Sequence, residues 1–495
     1  MQTSFKSGVG DLFKNNLSNL KISFSKISNF LNKELSAKNA FLLLFILYSL
    51  ALLSILRENI SYRDDIGRTA YGFSGWLDFS RYTTEYLSKL IHAGSYVSDI
   101  SPIPQIIAII ELSLASIFLL KCITGKKTYN LWQIVATIPL ALNPYFLECL
   151  SFKFDSPYMA LSILVAVVPV LFIKHFYFFI TTTVISTVII CTSYQASIGI
   201  LPMVTVFSLL TMYINGETLK NLFKTAFYFA IAFLAGAIIF KTLILQPTVR
   251  DYVSIDIAPF DILPNLFVKN MAIYYSDLFS KSGFIGSSAI CKKTSIITTV
   301  VMLIVCVFNS KNNKLLTLLL AALSLTLGAI LTYGFYACLE KPLFIPRTLY
   351  GIGVLLACIF TIAVSYKEFF IAKICSVILG WSLIVTASSY GNALAAQKNW
   401  EKFRAEEVVI DLASIDHGKK KYKVEGNCGL TPSLSYLTID KPIFKRLIPQ
   451  TLGQEFWFWN EPQLSYAYGI SELTYDNEIT DKGTPLSVRE TKYHT

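Results

Sequence analysis

The chain has 495 residues, 54% of them hydrophobic and only 15% charged, against about 25% charged in an ordinary globular protein. With a mean hydropathy of +0.53, a water-soluble domain is excluded. The net charge of +11 invites a nucleic-acid reading. The lysines, however, lie mostly in short connections between apolar runs, where they report membrane topology instead. The nine cysteines form no CxxC pair, no metal-ligand spacing and no disulfide framework. Cys122, Cys191, Cys306, Cys358 and Cys375 fall inside apolar runs and read as small buried residues.

Residues 1–39 lack the pattern of a cleaved signal. Phe5, Val9, Leu12, Leu17, Leu20, Phe24, Ile27, Phe30 and Leu35 recur at helical spacing among six lysines. This describes an amphipathic helix, lying either on an anionic membrane face or on the protein itself. Apolar runs of bilayer-crossing length, about 17–25 residues, follow near 40–57, 104–122, 129–149, 157–173, 176–193, 197–214, 225–245, 295–309, 315–333, 349–365 and 372–391. The expected fold class is an all-α polytopic membrane protein with about eleven spans.

The connections at 121–127, 174, 220–224, 311–314 and 367–373 are short and basic, which assigns them and the N-terminus to the cytoplasm. The longer mixed-charge segments 58–103, 246–294, 334–348 and the tail from 392 then fall outside, in the periplasm of a Gram-negative cell. Three units result: a cytoplasmic segment 1–39, a transmembrane catalytic region 40–392, and a periplasmic domain 393–495. Phe456-Trp457-Phe458-Trp459 and Pro432, Pro442, Pro449 and Pro462 speak for order in the last.

Outside the first span the chain reads Ser61-Tyr62-Arg63-Asp64-Asp65-Ile66-Gly67-Arg68. Carboxylates at a membrane boundary are costly unless solvated, paired or used. Asp64 and Asp65 are therefore candidate general bases, with Arg63 and Arg68 placed to orient them or to bind phosphate. A solvated loop of self-neutralising Arg–Asp pairs is the plain alternative. Gly72 to Trp76 and an amphipathic stretch 77–90 follow.

Next come Asn143-Pro144-Tyr145-Phe146, where Pro144 can bend the third span, and a polar turn with Glu148, Lys153 and Asp155. That turn lines a cavity or caps a hairpin. Tyr194 and Gln195 could hydrogen-bond sugar hydroxyls or mark an interfacial turn. Arg347, entering a helix from the outer side, runs against the positive-inside tendency. It calls for an anionic lipid head group or phospholipid phosphates as partner. Glu111, inside the second run, is either functional or paired with a neighbouring arginine. The chain has no P-loop, Rossmann fingerprint or HExxH set. Group transfer on the outer side therefore needs an activated donor already in the membrane.

The run Tyr62 to Arg68 and on to Trp76, with Asn143-Pro144-Tyr145-Phe146, Asp155-Ser156-Pro157 and Ser193-Tyr194-Gln195, resembles the serotype-converting O-antigen glucosyltransferases of enteric bacteria and their temperate phages. The likeness spans roughly residues 40–395. It implies a GT-C-type bundle in the bacterial inner membrane. It also implies transfer of glucose from undecaprenyl-phosphate-glucose to a lipid-linked O-antigen repeat at the periplasmic face, which converts the lipopolysaccharide serotype. Under that resemblance Asp64 or Asp65 deprotonates the acceptor, and Arg68 and Arg347 meet the donor phosphate. Arg63, Trp76, Lys153, Asp155, Tyr194 and Gln195 join the substrate-binding set. Direct displacement would invert the anomeric centre. No motif fixes a cofactor, no metal ligand is assigned, and a divalent cation is left open.

Two other readings differ in what they need. An O-antigen polymerase would lean on a large central outer loop. A lipid-oligosaccharide flippase would carry charges along a path inside the spans, whereas here only Glu111 and Lys241 lie there. Cys291, Cys338 and Cys428 fall on the outer side, where pairing is allowed.

Overall fold

In the computed structural model, residues 30–246, 257–366, 369–415, 421–422, 426–453 and 474–475 are described. The expected amphipathic helix over 1–39 lies almost wholly outside these residues, as does the aromatic run 456–459. Every one of the eleven apolar runs is helical over most of its length. The helices are α1 Ala37–Ala51, α2 Leu53–Glu58, α3 Asp64–Tyr71, α4 Tyr82–Ile91, α5 Ile103–Thr124, α6 Leu131–Ala136, α7 Ile138–Leu142, α8 Pro144–Ser151, α9 Ser156–Val167, α10 Phe176–Ser193, α11 Ile200–Ile214, α12 Leu219–Ile239, α13 Leu263–Phe279, α14 Ala289–Asn309, α15 Lys314–Tyr333, α16 Gly351–Val364, α17 Phe370–Ile415, α18 Pro432–Asp440 and α19 Phe444–Leu447. The described strands are two-residue pairs, such as Leu35–Ser36 against Thr128–Tyr129.

Seven helical stretches are long and apolar enough to cross a membrane, and an eighth is added if the bent pair Leu131–Leu142 and Pro144–Ser151 counts as one span. Ala37–Ala51, Ser156–Phe172 and Gly351–Val364 are shorter apolar helices. The chain is an all-α polytopic membrane protein. Its outer helices expose what a soluble protein would hide: Phe223, Phe227, Ile231, Leu234 and Ile238 stand out along α12. In a bilayer that surface meets a solvent of its own polarity.

α16 is the opposite case. All of its residues are buried, as expected for a helix that is apolar on every side. It packs against α7, α14 and α15 and forms a central post. α17 is much longer. At about 1.5 Å per residue its 46 residues outrun a hydrocarbon core of about 30 Å, and the helix passes straight through position 393. The described tail folds back onto it: Gln397 donates to the Gly429 carbonyl at 3.0 Å, and Trp400 to the Cys428 carbonyl at 3.0 Å. Leu434, Ile443, Phe444 and Leu447 join the main core.

The bend between α7 and α8, 59°, has a local cause. Pro144 offers no N–H to the preceding turn. Asn143 caps the new helix by accepting from the Phe146 amide at 3.1 Å, while its own amide donates to the Pro139 carbonyl at 3.1 Å. Gly353 of α16 crosses at this point, where an added Cβ would collide with the Asn143 side chain and the Pro139 carbonyl. Overpacking of this kind costs about 1–3 kcal/mol. Gly353→Ala should therefore lower the melting temperature of the detergent-solubilised protein by several degrees. Gly94→Ala, whose new methyl meets nothing closer than 3.8 Å, should not.

Candidate active site

The polar residues singled out in the sequence converge where the segment after α2, the end of α8, the α10–α11 joint and the turn 346–348 meet. The approach to α3 is strained. Arg63 has φ 48° and ψ −108°, a region that residues with a side chain rarely adopt, at a cost on the order of 1–3 kcal/mol. Its guanidinium lies 3.6 Å from Glu148 and over the Tyr62 ring at 5.5 Å. This kink places Asp64 and Asp65 at the first two positions of α3, about 100° apart around the helix.

The two acids have different surroundings. Asp65 is fully buried and accepts from the Tyr62 amide at 3.2 Å and the Lys153 amide at 2.8 Å. Arg68 stands 3.8 Å away, yet its closest contact is with Asp155, whose other oxygen takes the Trp76 indole N–H at 2.6 Å. Two carboxyls thus share one guanidinium. Burial pushes the Asp65 carboxyl up to about 8, with Arg68 pulling down and Asp155 pushing up. Asp65 has no exposed surface from which to meet a substrate. Asp64 is only half-buried and lies within electrostatic reach of Arg63, Arg68 and Arg347.

Arg68, Trp76, Lys153 and Asp155 form a closed framework. Arg68 also donates to the Ser74 carbonyl at 3.2 Å and sits over Trp76 at 4.8 Å. Lys153 is buried and pairs with Asp99 at 2.6 Å and Asn59 at 3.1 Å. These commitments leave Arg63 and Arg347, whose side chains are 16% and 24% exposed, as the arginines of this group with surface to offer.

Glu148 holds both. It is sealed from solvent and accepts from the Arg347 amide at 2.7 Å, with the Arg347 guanidinium at 3.4 Å and the Tyr62 hydroxyl at 3.2 Å. The Tyr62 hydroxyl also donates to the Leu447 carbonyl at 2.6 Å, which ties the tail to the site. Tyr194 donates to the Arg347 carbonyl at 2.9 Å. Gln195 donates to the Phe79 carbonyl at 3.0 Å and accepts from Arg81 at 3.3 Å.

Sequence reasoning passed over Arg81 and left Glu148 out of the site. The signal for Arg81 was the one that flagged Arg347, an arginine on the side where positive charge is scarce. Glu111 lies apart, its Oε2 buried without a hydrogen-bond partner among the described residues. All nine cysteines are free, so Cys291, Cys338 and Cys428 form no bridge. Among the described residues no three His, Cys, Asp or Glu side chains converge as metal ligands.

The burial of Asp65 has a measurable consequence. The folded state holds a proton on Asp65 up to about pH 8, while the unfolded chain releases it near 3.8. The stabilisation from that proton is complete below the lower value, declines as pH rises, and is gone above the higher one. Thermal melting between pH 5 and 9 should show a downward slope in the wild type that Asp65→Asn flattens. Equal slopes would place the proton elsewhere.

The sequence profile described as glucosyl transferase GtrII matches residues 53–358, a stretch that contains every acid and arginine from Arg63 to Arg347. The chain is also 26% identical, over 484 residues, to an uncharacterised 55.3 kDa protein in the gtrB 5′ region of Salmonella phage P22. That alignment covers 89% of this chain and 92% of the phage protein. No solved structure matches. With the profile covering more than half of its length, the chain belongs to the glucosyl transferase GtrII family.

Proposed function

We propose that this glucosyltransferase takes glucose from undecaprenyl-phosphate-glucose and passes it to a lipid-linked O-antigen repeat at the periplasmic face of the inner membrane, in a GT-C-type bundle. The observation that carries this reading is the division of labour in the acid doublet. Asp65 is locked in the framework, while Asp64 stands half-exposed on a strained turn facing arginines that a buried glutamate holds in place. The charge pattern of the connections supports a cytoplasmic N-terminus and a tail on the outer side. A donor resident in the membrane suits a chain without a nucleotide-binding motif.

In the proposed step the acceptor hydroxyl gives its proton to the Asp64 carboxylate. The acceptor oxygen bonds to C1 of glucose as the bond from C1 to the phosphate oxygen breaks, and the electron pair leaves on the phosphate. The leaving group passes from a phosphodiester to a phosphomonoester and gains negative charge. Arg347 and Arg63, held by Glu148, would meet that charge with little reorganisation as the bond breaks. A single displacement inverts C1, and a β-linked donor yields an α-glucoside. Tyr194 acts in this scheme by pinning Arg347 through its carbonyl.

Membranes containing the protein, given labelled undecaprenyl-phosphate-glucose and a lipid-linked O-antigen acceptor, should move label into polysaccharide. Loss of a general base costs about 10²–10⁴-fold in rate. Asp64→Asn should fall in that range with normal membrane insertion. Label that never leaves the donor would refute the transfer, and an Asp64→Asn protein at full rate would remove Asp64 from the chemistry.

A further inference from the structure

α13 carries a second polar cluster, one that the transfer step leaves unused. Asp277 forms an ion pair there with Arg446 of the tail, and the two side chains are 20% and 21% exposed. Asp277 Oδ1 accepts from the guanidinium, while Oδ2 is buried without a hydrogen-bond partner among the described residues. The hydroxyls of Tyr274 and Tyr275 are likewise buried and unpartnered. Thr332 stands beside both, its own hydroxyl donating to the Ala329 carbonyl at 2.5 Å. Asp277 lies within electrostatic reach of Tyr274, Tyr145 and Tyr333, so these groups belong together. Their frame is braced: Tyr274 stacks on Tyr333 at 5.1 Å, and Asn270 donates to the Ala337 and Leu339 carbonyls at 3.0 Å and 3.2 Å.

Two elements join the cluster to the transfer site. On α8, Tyr145 stands one turn before Glu148. The Arg446 guanidinium lies over the Tyr145 ring at 5.9 Å, and the Tyr145 hydroxyl accepts from the Phe284 amide at 3.2 Å. On α19, Arg446 precedes Leu447, whose carbonyl takes the Tyr62 hydroxyl. Buried polar atoms without partners are uncommon and point to a group that completes them. Charge narrows the choice. Asp277 and Arg446 neutralise each other, so the pair favours neither a phosphate nor a cation. A neutral ligand rich in hydroxyls fits: its O–H groups donate to the carboxylate, and the guanidinium fork donates to its oxygens.

Resting on the reading given under Proposed function, we propose that Asp277 and Arg446 form a subsite for a neutral sugar of the acceptor oligosaccharide, beside the sugar that receives glucose. Asp277 Oδ2 accepts from one sugar hydroxyl, and Arg446 donates to a neighbouring oxygen. Both side chains keep an exposed edge from which the sugar approaches. α13 and α19 belong to the connection 246–294 and to the tail rather than to the apolar spans. That position suits an oligosaccharide better than a glucose fixed beside a lipid phosphate. The subsite acts on acceptor saturation and leaves the chemical step to Asp64.

The test uses full-length protein in nanodiscs: wild type, Asp277→Asn and Arg446→Lys. Two readouts are taken: glucose transfer at varied donor and acceptor, and binding of the lipid-linked O-antigen repeat without donor. Asparagine keeps the size of the side chain, and lysine keeps the ion pair without the fork. Each variant should raise the acceptor KM and the Kd of the repeat about tenfold, with kcat and the donor KM within about threefold of wild type. Unchanged acceptor KM and Kd would overturn the subsite while leaving the transfer reading intact. A raised donor KM in place of the acceptor KM would also overturn it and assign the cluster to the donor glucose. A lowered kcat and melting temperature with unchanged repeat binding would reduce the pair to a brace between loop and tail, again against the subsite. A wild type that binds the repeat through Asp277 but transfers no glucose would uphold the subsite and refute the proposed donor. One that binds no repeat would overturn both.

Discussion

The site depends on one sealed carboxylate. Glu148 has no solvent exposure, and a buried charge persists only where countercharges and hydrogen bonds replace water. Those replacements come from Arg63 before α3, from Arg347 before α16 and from Tyr62, which also reaches the tail through Leu447. The loop at residues 62–63, Glu148, Arg347 and the tail at Leu447, all remote from one another in sequence, are thereby brought to one point. Removing one partner from such a group leaves an uncompensated buried charge, at a cost of about 3–5 kcal/mol. The bend at Asn143–Pro144 is what turns α8 so that Glu148 can occupy that point, and Gly353 lets the central post pass close behind it.

From this anchor the behaviour of the acid doublet follows. The Glu148–Arg63 contact holds a backbone conformation that would otherwise relax, and the conformation starts α3 with neighbouring acids on different faces. One face packs into the framework of Arg68, Asp155 and Trp76. The other carries Asp64, which is half-buried. In the proposed mechanism the packed residues beside it hold Asp64 in position.

Much of the architecture was legible in the sequence because bilayer-length apolar runs leave few alternatives to helix. Pro144 announced the break, and the acids and arginines of the loop after the first span announced the site. The choice between Asp64 and Asp65 was not legible, because adjacent residues diverge on a helix and only the packed fold says which face is covered. Arg81 stayed hidden because its partners, Tyr194 and Gln195, come more than a hundred residues later. α17 runs on past position 393, and its Gln397 and Glu401 anchor the returning tail through Thr431 and Thr451.

The proposed mechanism is a single displacement in which the Asp64 carboxylate takes the acceptor proton and arginines meet the leaving phosphate, with no covalent glucosyl intermediate. The stereochemistry of the product tests it most directly. With β-linked undecaprenyl-phosphate-glucose as donor, the anomeric proton coupling of the transferred glucose should show an α-glucoside. A β-glucoside would contradict single displacement and require a second nucleophile in the site.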